Sequence, residues 1–197
     1  MKVKKYKEKY SEKVSKNILK KKKDTSWIIR ITIAAFFISL AFSFITENTL
    51  PYSNTFISIL IIIIFIILGV IFDMIGIAVT VATPKTFNSM ATKNVRGARA
   101  CINLIRKASK VSSFCNDVIG DICGILSGSA GVTVALTISK EYNINLLLVT
   151  IVITSLIGAL TIGGKAMGKN IAINKSNEIL YKFAEFLMIF NKKLDRK

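Results

Sequence analysis

The sequence predicts an all-α integral membrane protein, a bundle of four transmembrane helices with additional cytoplasmic juxtamembrane and C-terminal amphipathic helices. Hydrophobic residues make up 52% of the 197 residues, although the formal net charge is +17, and a soluble domain rarely combines the two. The hydrophobic residues form long runs, and Lys and Arg fill the gaps between them. Four of these runs approach or exceed the roughly 20 residues that a membrane-spanning helix needs.

Composition also argues against several other classes of protein. The chain has no His, and its three cysteines contain no CxxC pair, so a zinc site, a His-based catalytic triad and a disulfide framework are not expected. The basic residues do not alternate with aromatic ones as in nucleic-acid binders, so no nucleic-acid partner is expected. We do not expect an enzyme. Two acids on facing helices would formally suit intramembrane aspartyl chemistry, but no motif of such proteases is present.

The N-terminal part predicts a basic segment followed by a first span. Residues 1–25 carry eleven Lys against three acids and are expected to be a cytoplasmic segment. Residues 28–46 contain one charge, Arg30, which lies near enough to the end of the span to reach the interface. The run is too long for the apolar core of a signal peptide. Residues 26–55 are therefore read as an uncleaved first transmembrane helix and its outer loop.

The second span is predicted over residues 56–82, and its two halves differ. The first half is almost entirely Ile, which suits contact with lipid. In the second half, Gly69, Asp73, Gly76 and Thr80 recur at spacings of four, three and four. This spacing predicts one acid and several small residues on a single helix face.

Two further spans are predicted, separated from the second by a basic segment. Residues 83–113 hold seven basic residues and no acids, which favours a helix or helix pair on the cytoplasmic membrane surface. The third span covers residues 114–139, where Gly120, Gly124 and Gly128 form a doubled GxxxG pattern expected to serve helix packing. The fourth span covers residues 146–167.

The C-terminal tail, residues 171–197, predicts an amphipathic helix. Its apolar and charged positions alternate with helical spacing. The apolar side carries Ile179, Leu180, Phe183, Leu187 and Phe190, and the charged side carries Lys175, Glu178, Lys182 and Glu185. Packing on the membrane surface is favoured over recruitment of a partner, and docking onto the middle basic segment remains open.

The distribution of charge predicts the orientation. The N-terminal segment, the middle segment and residues 165–197 hold 26 of the 28 basic residues. The two loops on the other side hold Lys140 alone, and Arg30 lies within the first span. By the positive-inside rule, both termini are cytoplasmic in a multi-pass protein of the cell membrane.

The candidate site consists of acids inside otherwise apolar stretches. A charged side chain at membrane depth costs at least about 2.5 kcal/mol, so it usually marks an ion or proton path. An oxygen-rich cluster suits Mg²⁺, which one or two carboxylates bind together with carbonyls or waters. Asp73 and Asp121 are the predicted ligands, Asn116 and Asp117 would support them or guide entry, and carbonyls freed near Gly163 would supply more oxygen.

Two alternative readings of these residues remain. The acids would instead pair structurally with Lys165 and Lys169, which lie at a similar depth. Residues 163–169, GGKAMGK, match the G-x(4)-G-K part of a phosphate-binding loop. However, Asn170 follows where Ser or Thr is required, and the motif closes a membrane span rather than following a strand, so nucleotide binding is not expected.

Residues 57–190 resemble the transmembrane domain of the cyclin M/CorC family of magnesium transport proteins. Three sets of motifs carry the resemblance. The first is IFDMIGIAVT at 71–80, which is similar to the family's Phe-Phe-Ser-rich first helix. The second combines RGAR at 96–99, SSF at 112–114 and VIGD at 118–121, which are similar to the family's Gly-Ala-(Lys/Arg) loop and Ile-Gly-Asn helix. The third is GGKAMGKNIA at 163–172, which is similar to the family's Gly-Glu-x-x-Pro-Lys segment.

The resemblance implies a three-helix domain over residues 56–170 that binds magnesium through hydroxyl, amide and carbonyl oxygens and assembles as a homodimer. This chain departs from the family pattern at four positions: Asp73 replaces Ser, Asp121 replaces Asn, Gly164 replaces Glu and Gly168 replaces Pro. Compared with the family pattern, the last span has thus lost an acidic residue, and each of the other two spans has gained one. The first span lies outside the family pattern, and we expect no counterpart of its cytoplasmic nucleotide-binding CBS pair.

The sequence therefore predicts a membrane protein that binds and transports a divalent cation, with Mg²⁺ as the first candidate, and whose partners are the lipid bilayer, the cation and a second copy of the chain. The alternative is a membrane scaffold or regulatory subunit without transport, diverged from the same family.

Overall fold

The computed structural model describes the backbone of residues 2–50 and 53–190, and the side chains of residues 25–50 and 53–189. Within these ranges the chain is helical and contains no strand. The helices are α1 (Lys2–Thr49), α2 (Thr55–Val81), α3 (Pro84–Thr92), α4 (Ala98–Arg106), α5 (Ala108–Ser113), a π-helix (Phe114–Gly120), α6 (Asp121–Tyr142), α7 (Leu146–Asn174) and α8 (Ser176–Phe190).

Four helical stretches are long and apolar enough to cross a membrane: Thr25–Thr49, Thr55–Val81, Ala108–Tyr142 and Leu146–Asn174. They confirm the predicted all-α class and the four predicted spans. Phe190 of the predicted apolar side of the tail, and the side chains of the basic N-terminal segment, lie outside the residues whose side chains are described.

The third and fourth spans differ in extent from the prediction. The third begins at Ala108 rather than at residue 114, because α5 continues directly into the π-helix and α6. The fourth ends at Asn174 rather than at residue 167. Its glycines do not end the helix, since Gly164 and Gly168 lie close against Val70 and Met74 of α2, and this packing holds the helix together where its propensity is low.

The chain divides into two units, residues 1–40 and 41–197. The described part of the first unit belongs to α1, and most of its large apolar side chains are exposed. Phe36 and Phe37, for example, form an edge-to-face pair with ring centroids 5.5 Å apart, and both are more than half exposed. Such exposure suits a helix whose surface contacts lipid.

In the second unit, α2, α6 and α7 pack against one another. Small residues allow this, as expected for helices that associate in lipid. Gly69 of α2 lies against Cys123 and the Gly120 carbonyl, and a Cβ at Gly131 of α6 would overlap Ile157 of α7. Gly124 and Gly128 differ, because a Cβ at either would meet no atom within 4 Å. Of the predicted glycine pattern, Gly120 is the one that packs against other residues in the described part of the chain.

The helices α3, α4 and α8 form a separate apolar cluster at the end of α2, which we call the cap. Its buried side chains are Val79, Ala82, Phe87, Ala100, Cys101, Leu104, Leu180, Ala184 and Met188. The middle basic segment is therefore helical, as predicted. The tail docks onto it, which decides the alternative that the sequence left open. Ala184 and Met188, absent from the predicted apolar side, are buried in this contact because they follow Leu180 at intervals of four.

A turn between α3 and α4 fixes the cap. Gly97 has a φ of +84°, a conformation that other residues adopt at a cost, and Met188 lies close to it. The Tyr181 hydroxyl donates a hydrogen bond to the Arg96 carbonyl, 3.1 Å away. Burial raises the pKa of Tyr181, and the neighbouring Glu185 carboxylate raises this pKa further.

Candidate functional site

The polar face predicted for α2 packs against the third span. Gly69, Asp73 and Gly76 follow one another at helical spacing, so they share one side of α2. Gly69 lies against Gly120 and Cys123, and Gly76 lies against Asn116. Asp73 is placed between these two contacts and is half-buried. The helix interface therefore positions this carboxylate next to the π-helix.

The π-helix presents Asn116 to this interface. The Asn116 Oδ1 atom is buried and has no hydrogen-bond partner among the described residues. It occupies the space that a Cβ at Gly76 would need, so the Asn116 amide fits here because residue 76 has no side chain. A buried polar atom without a partner costs about 1–3 kcal/mol, and single π-helical segments often occur at functional sites. The sequence assigned Asn116 a supporting role, whereas in the structure it carries the site's buried oxygen without a hydrogen-bond partner among the described residues.

Asp121 is paired with a lysine of the fourth span. Its Oδ1 atom lies 3.4 Å from Lys165 Nζ. The Lys165 side chain is 27% exposed and that of Asp121 is 63% exposed, so solvent screens the pair and its contribution to stability is small. The alternative in which an acid of the site pairs with a lysine is therefore observed for Asp121. Any cation at this carboxylate would have to compete with the Lys165 ammonium.

The remaining charged groups lie around Asp73. Lys165, Asp121, Lys169 and Asp117 all interact electrostatically with its carboxylate. Asp117 lies on the π-helix and is exposed. We call Asp73, Asn116, Asp117, Asp121 and Lys165 the polar cluster. Four of the five predicted site residues are therefore brought together by α2, the π-helix and the start of α6.

The predicted contribution of Gly163 is wrong. The helix α7 continues through Gly163 and Gly164 without a break, so its carbonyls there accept helical hydrogen bonds and are not freed for a cation. Gly163 is also exposed, with no atom within 4 Å of a Cβ built on it. The lysine two positions further on, Lys165, is the residue through which α7 reaches the cluster.

The polar cluster lies near one end of the spans. Asp73 is 18 residues after Thr55, and Lys165 is 19 residues after Leu146, so both lie about 28 Å along their helices. The cluster therefore lies in the second half of both helices, toward the ends that lead into α3 and α8.

The cluster offers a limited set of ligands. No group of three or more His, Cys, Asp or Glu side chains among the described residues is arranged to hold a metal ion. The donor set is instead one half-buried carboxylate, one unpartnered amide oxygen and two more exposed carboxylates. Such a set suits a cation that keeps several of its waters, as Mg²⁺ does, and it does not suit a fully dehydrated ion in a protein cage.

No family model, curated protein or solved structure matches this chain. The resemblance to the cyclin M/CorC transmembrane domain therefore rests on the motifs of the sequence, and function is argued from the polar cluster itself.

Proposed function

We propose that this chain is a multi-pass protein of the cell membrane, with both termini cytoplasmic, that binds and transports a divalent cation, Mg²⁺ in the first instance. Asp73 and Asn116 are the proposed primary ligands. One observation carries the proposal: the Asn116 Oδ1 atom is buried without a partner beside the helix face that holds Asp73. A bound cation would satisfy this oxygen and balance the nearby carboxylate.

Lys165 has a specific role in this proposal. It pairs with Asp121 and lies among the charges that act on Asp73. When no cation is bound, its ammonium partly neutralises Asp73 and Asp121. An incoming divalent ion would displace it, freeing Asp121 as a further ligand. The lysine therefore acts as an internal competitor that keeps the affinity for the cation moderate, as transport requires release as well as binding.

Opposite effects of two substitutions test this proposal. Mg²⁺ is expected to raise the thermal unfolding temperature of the purified protein. Asp73→Asn should greatly reduce this stabilisation, and combining it with Asp121→Asn should abolish it. Lys165→Gln should instead move half-maximal stabilisation to lower Mg²⁺ concentration, because the competitor is gone. Glu47→Gln is the matched control, since Glu47 is an exposed acid at the opposite end of the spans. Unchanged stabilisation in the Asp73/Asp121 double variant would contradict the proposal.

A second function is favoured by a different observation. The ion pair between Asp121 and Lys165 and the small number of converging ligands suit a scaffold or regulatory subunit that does not transport ions. Flux of Mg²⁺ into liposomes, followed with an enclosed magnesium-sensitive dye, separates the two functions. A transporter gives flux that Asp73→Asn removes, whereas a scaffold leaves flux at the level of empty liposomes.

Assembly as a homodimer belongs to the same proposal. Gly124 and Gly128 lie on α6 with open space above them, and small residues at this spacing let a helix of another chain approach closely. The implied partners are therefore the lipid bilayer, the cation and a second copy of the chain.

A further inference from the structure

We propose that a groove between α2 and α8 binds an acyl chain of an anionic phospholipid, whose headgroup is held by Lys182. This inference concerns a different surface from the polar cluster and does not depend on cation transport. The groove has a volume of about 410 Å³ and is lined by Ile71, Phe72, Met74, Ile75, Ile179, Lys182, Phe183 and Phe186. Its volume lies within the range of small-molecule sites in proteins.

The lining has the chemistry of a lipid site. Seven of its eight side chains are apolar, and the remaining one is a lysine. No ion pair among the described residues involves Lys182, and its side chain is exposed. An apolar groove with a single cation beside it complements a molecule that has a hydrocarbon chain and a negatively charged head. A neutral apolar ligand would make no electrostatic interaction with the Lys182 ammonium.

The depth of the groove matches this occupant. Ile71 and Ile75 are 16 and 20 residues after Thr55, which places them about 24–30 Å along α2. With a hydrocarbon layer about 30 Å thick that begins near Thr55, both residues lie in its last part. Lys182 belongs to α8, outside the spans, so it lies on the side where headgroups begin. Anionic lipids are concentrated in the cytoplasmic leaflet and attract basic residues near the surface, and the proposed orientation puts the groove in that leaflet.

The exposed side of α8 continues this surface. Lys182, Phe186 and Ile189 follow one another at intervals of four and three, and Ile189 is 75% exposed. The opposite side is buried, because Leu180 and Ala184 pack in the cap. The helix therefore holds the cap together with one side and presents a basic and apolar side to the bilayer. A lipid in the groove would contact α2 and α8 at once and stabilise the docking of the tail.

Quenching of a single tryptophan by brominated lipids tests the proposal. In a Trp27→Phe background, Phe186→Trp places the reporter in the groove. The full-length protein is reconstituted in vesicles that contain equal amounts of phosphatidylglycerol and phosphatidylcholine, with bromine on one or the other. The charge of one lysine corresponds to about a fivefold preference for the anionic lipid. Brominated phosphatidylglycerol should therefore quench the tryptophan fluorescence more strongly than brominated phosphatidylcholine, to the extent expected if the groove holds the anionic lipid about five times as often.

Lys182→Gln should reduce the preference to about one, while Lys175→Gln should retain it, because Lys175 is an exposed lysine of the same region that does not line the groove. Soluble glycerol phosphate should leave the quenching unchanged, since a headgroup alone lacks the chain. Equal quenching by both lipids in the parent protein, or a preference that persists in Lys182→Gln, would overturn the proposal. If the reporter variant fails to fold, retention of phosphatidylglycerol by the unlabelled protein in native mass spectrometry, compared with Lys182→Gln, gives the same decision.

Discussion

At the scale of single residues, the partner of each polar group decides its role. Asp73, Asp117 and Asp121 look alike in the sequence, since each is an acid in an apolar stretch. In the structure Asp121 is paired with Lys165, Asp117 is exposed, and Asp73 is half-buried between two helix contacts. Asn116 carries the unpartnered oxygen. These four residues therefore have four different environments within one small region.

The contact between Gly76 and Asn116 gives a prediction at this scale. Gly76→Ala should lower the thermal unfolding temperature, because the added Cβ would overlap the Asn116 amide and overpacking of this kind costs about 1–3 kcal/mol. The gain in helix propensity, about 1 kcal/mol, offsets only part of this. Unfolding of the purified protein in detergent, followed by circular dichroism, measures the change.

Gly163→Ala is the matched control, since Gly163 is exposed and a Cβ there meets no described atom within 4 Å, so the helix propensity alone should leave stability equal or slightly higher. Adding Asn116→Ala to Gly76→Ala should restore much of the loss. An unfolding temperature for Gly76→Ala equal to that of Gly163→Ala would show that Gly76 and Asn116 do not touch in the folded protein.

At the scale of the elements, α8 illustrates what amphipathic spacing predicts and what it leaves open. The apolar side predicted from the sequence included Leu180, which is fully buried. The spacing cannot tell a membrane surface from a protein surface, because both are apolar. The structure supplies α4 as the docking surface, and the Tyr181 hydroxyl fastens α8 to the Arg96 carbonyl.

This docking should weaken at alkaline pH. Burial first, and then Glu185, raise the pKa of Tyr181 above the ordinary tyrosine value of 10.0. The neutral phenol is thus the form that the folded state favours. Its contribution to stability is complete below pH 10.0 and is lost as the pH rises through the raised value. Thermal unfolding measured between pH 8 and pH 11 should show a decline above pH 10.

Tyr181→Phe should show a shallower alkaline decline, because the ionising group is absent. Tyr142→Phe serves as the comparison, since Tyr142 is 66% exposed near the far end of α6, and it should keep the decline of the parent protein. A Tyr181→Phe profile that matches the parent at every pH would remove Tyr181 as the cause.

At the scale of the whole molecule, the distribution of basic residues along the chain predicts which loops face the cytoplasm. Cysteine labelling with a membrane-impermeant maleimide tests this. The three native cysteines are buried, so they should give little background. In the proposed orientation the end of α6 that carries Lys140 lies outside the cell, so Lys140→Cys should be labelled in intact cells, and Lys93→Cys should be labelled only after the membrane is opened. The reverse pattern would invert the proposed topology.

The fold class and the existence of four spans were predictable because both depend on the length of apolar runs, a property of the local sequence. The third and fourth spans extended beyond their predicted bounds, since α5 continues into the π-helix and α7 passes through its glycines. No residue pattern predicted the π-helix, because a local change from α-helical to π-helical hydrogen bonding depends on how the helix packs against its neighbours. The same holds for Gly163, whose predicted freed carbonyls required a break that packing against α2 prevents.

The sequence by itself determined that this chain forms helices of membrane-spanning length, that its basic residues lie between them, and that a few acids lie on faces with small residues. These are properties of composition and spacing, which each segment carries alone. Only the tertiary structure decided that Asp121 pairs with Lys165, that Asn116 keeps an unpartnered oxygen, and that the tail docks onto α4. Such contacts join residues distant in sequence, and they depend on the rotation and depth of whole helices, which helical periodicity does not specify.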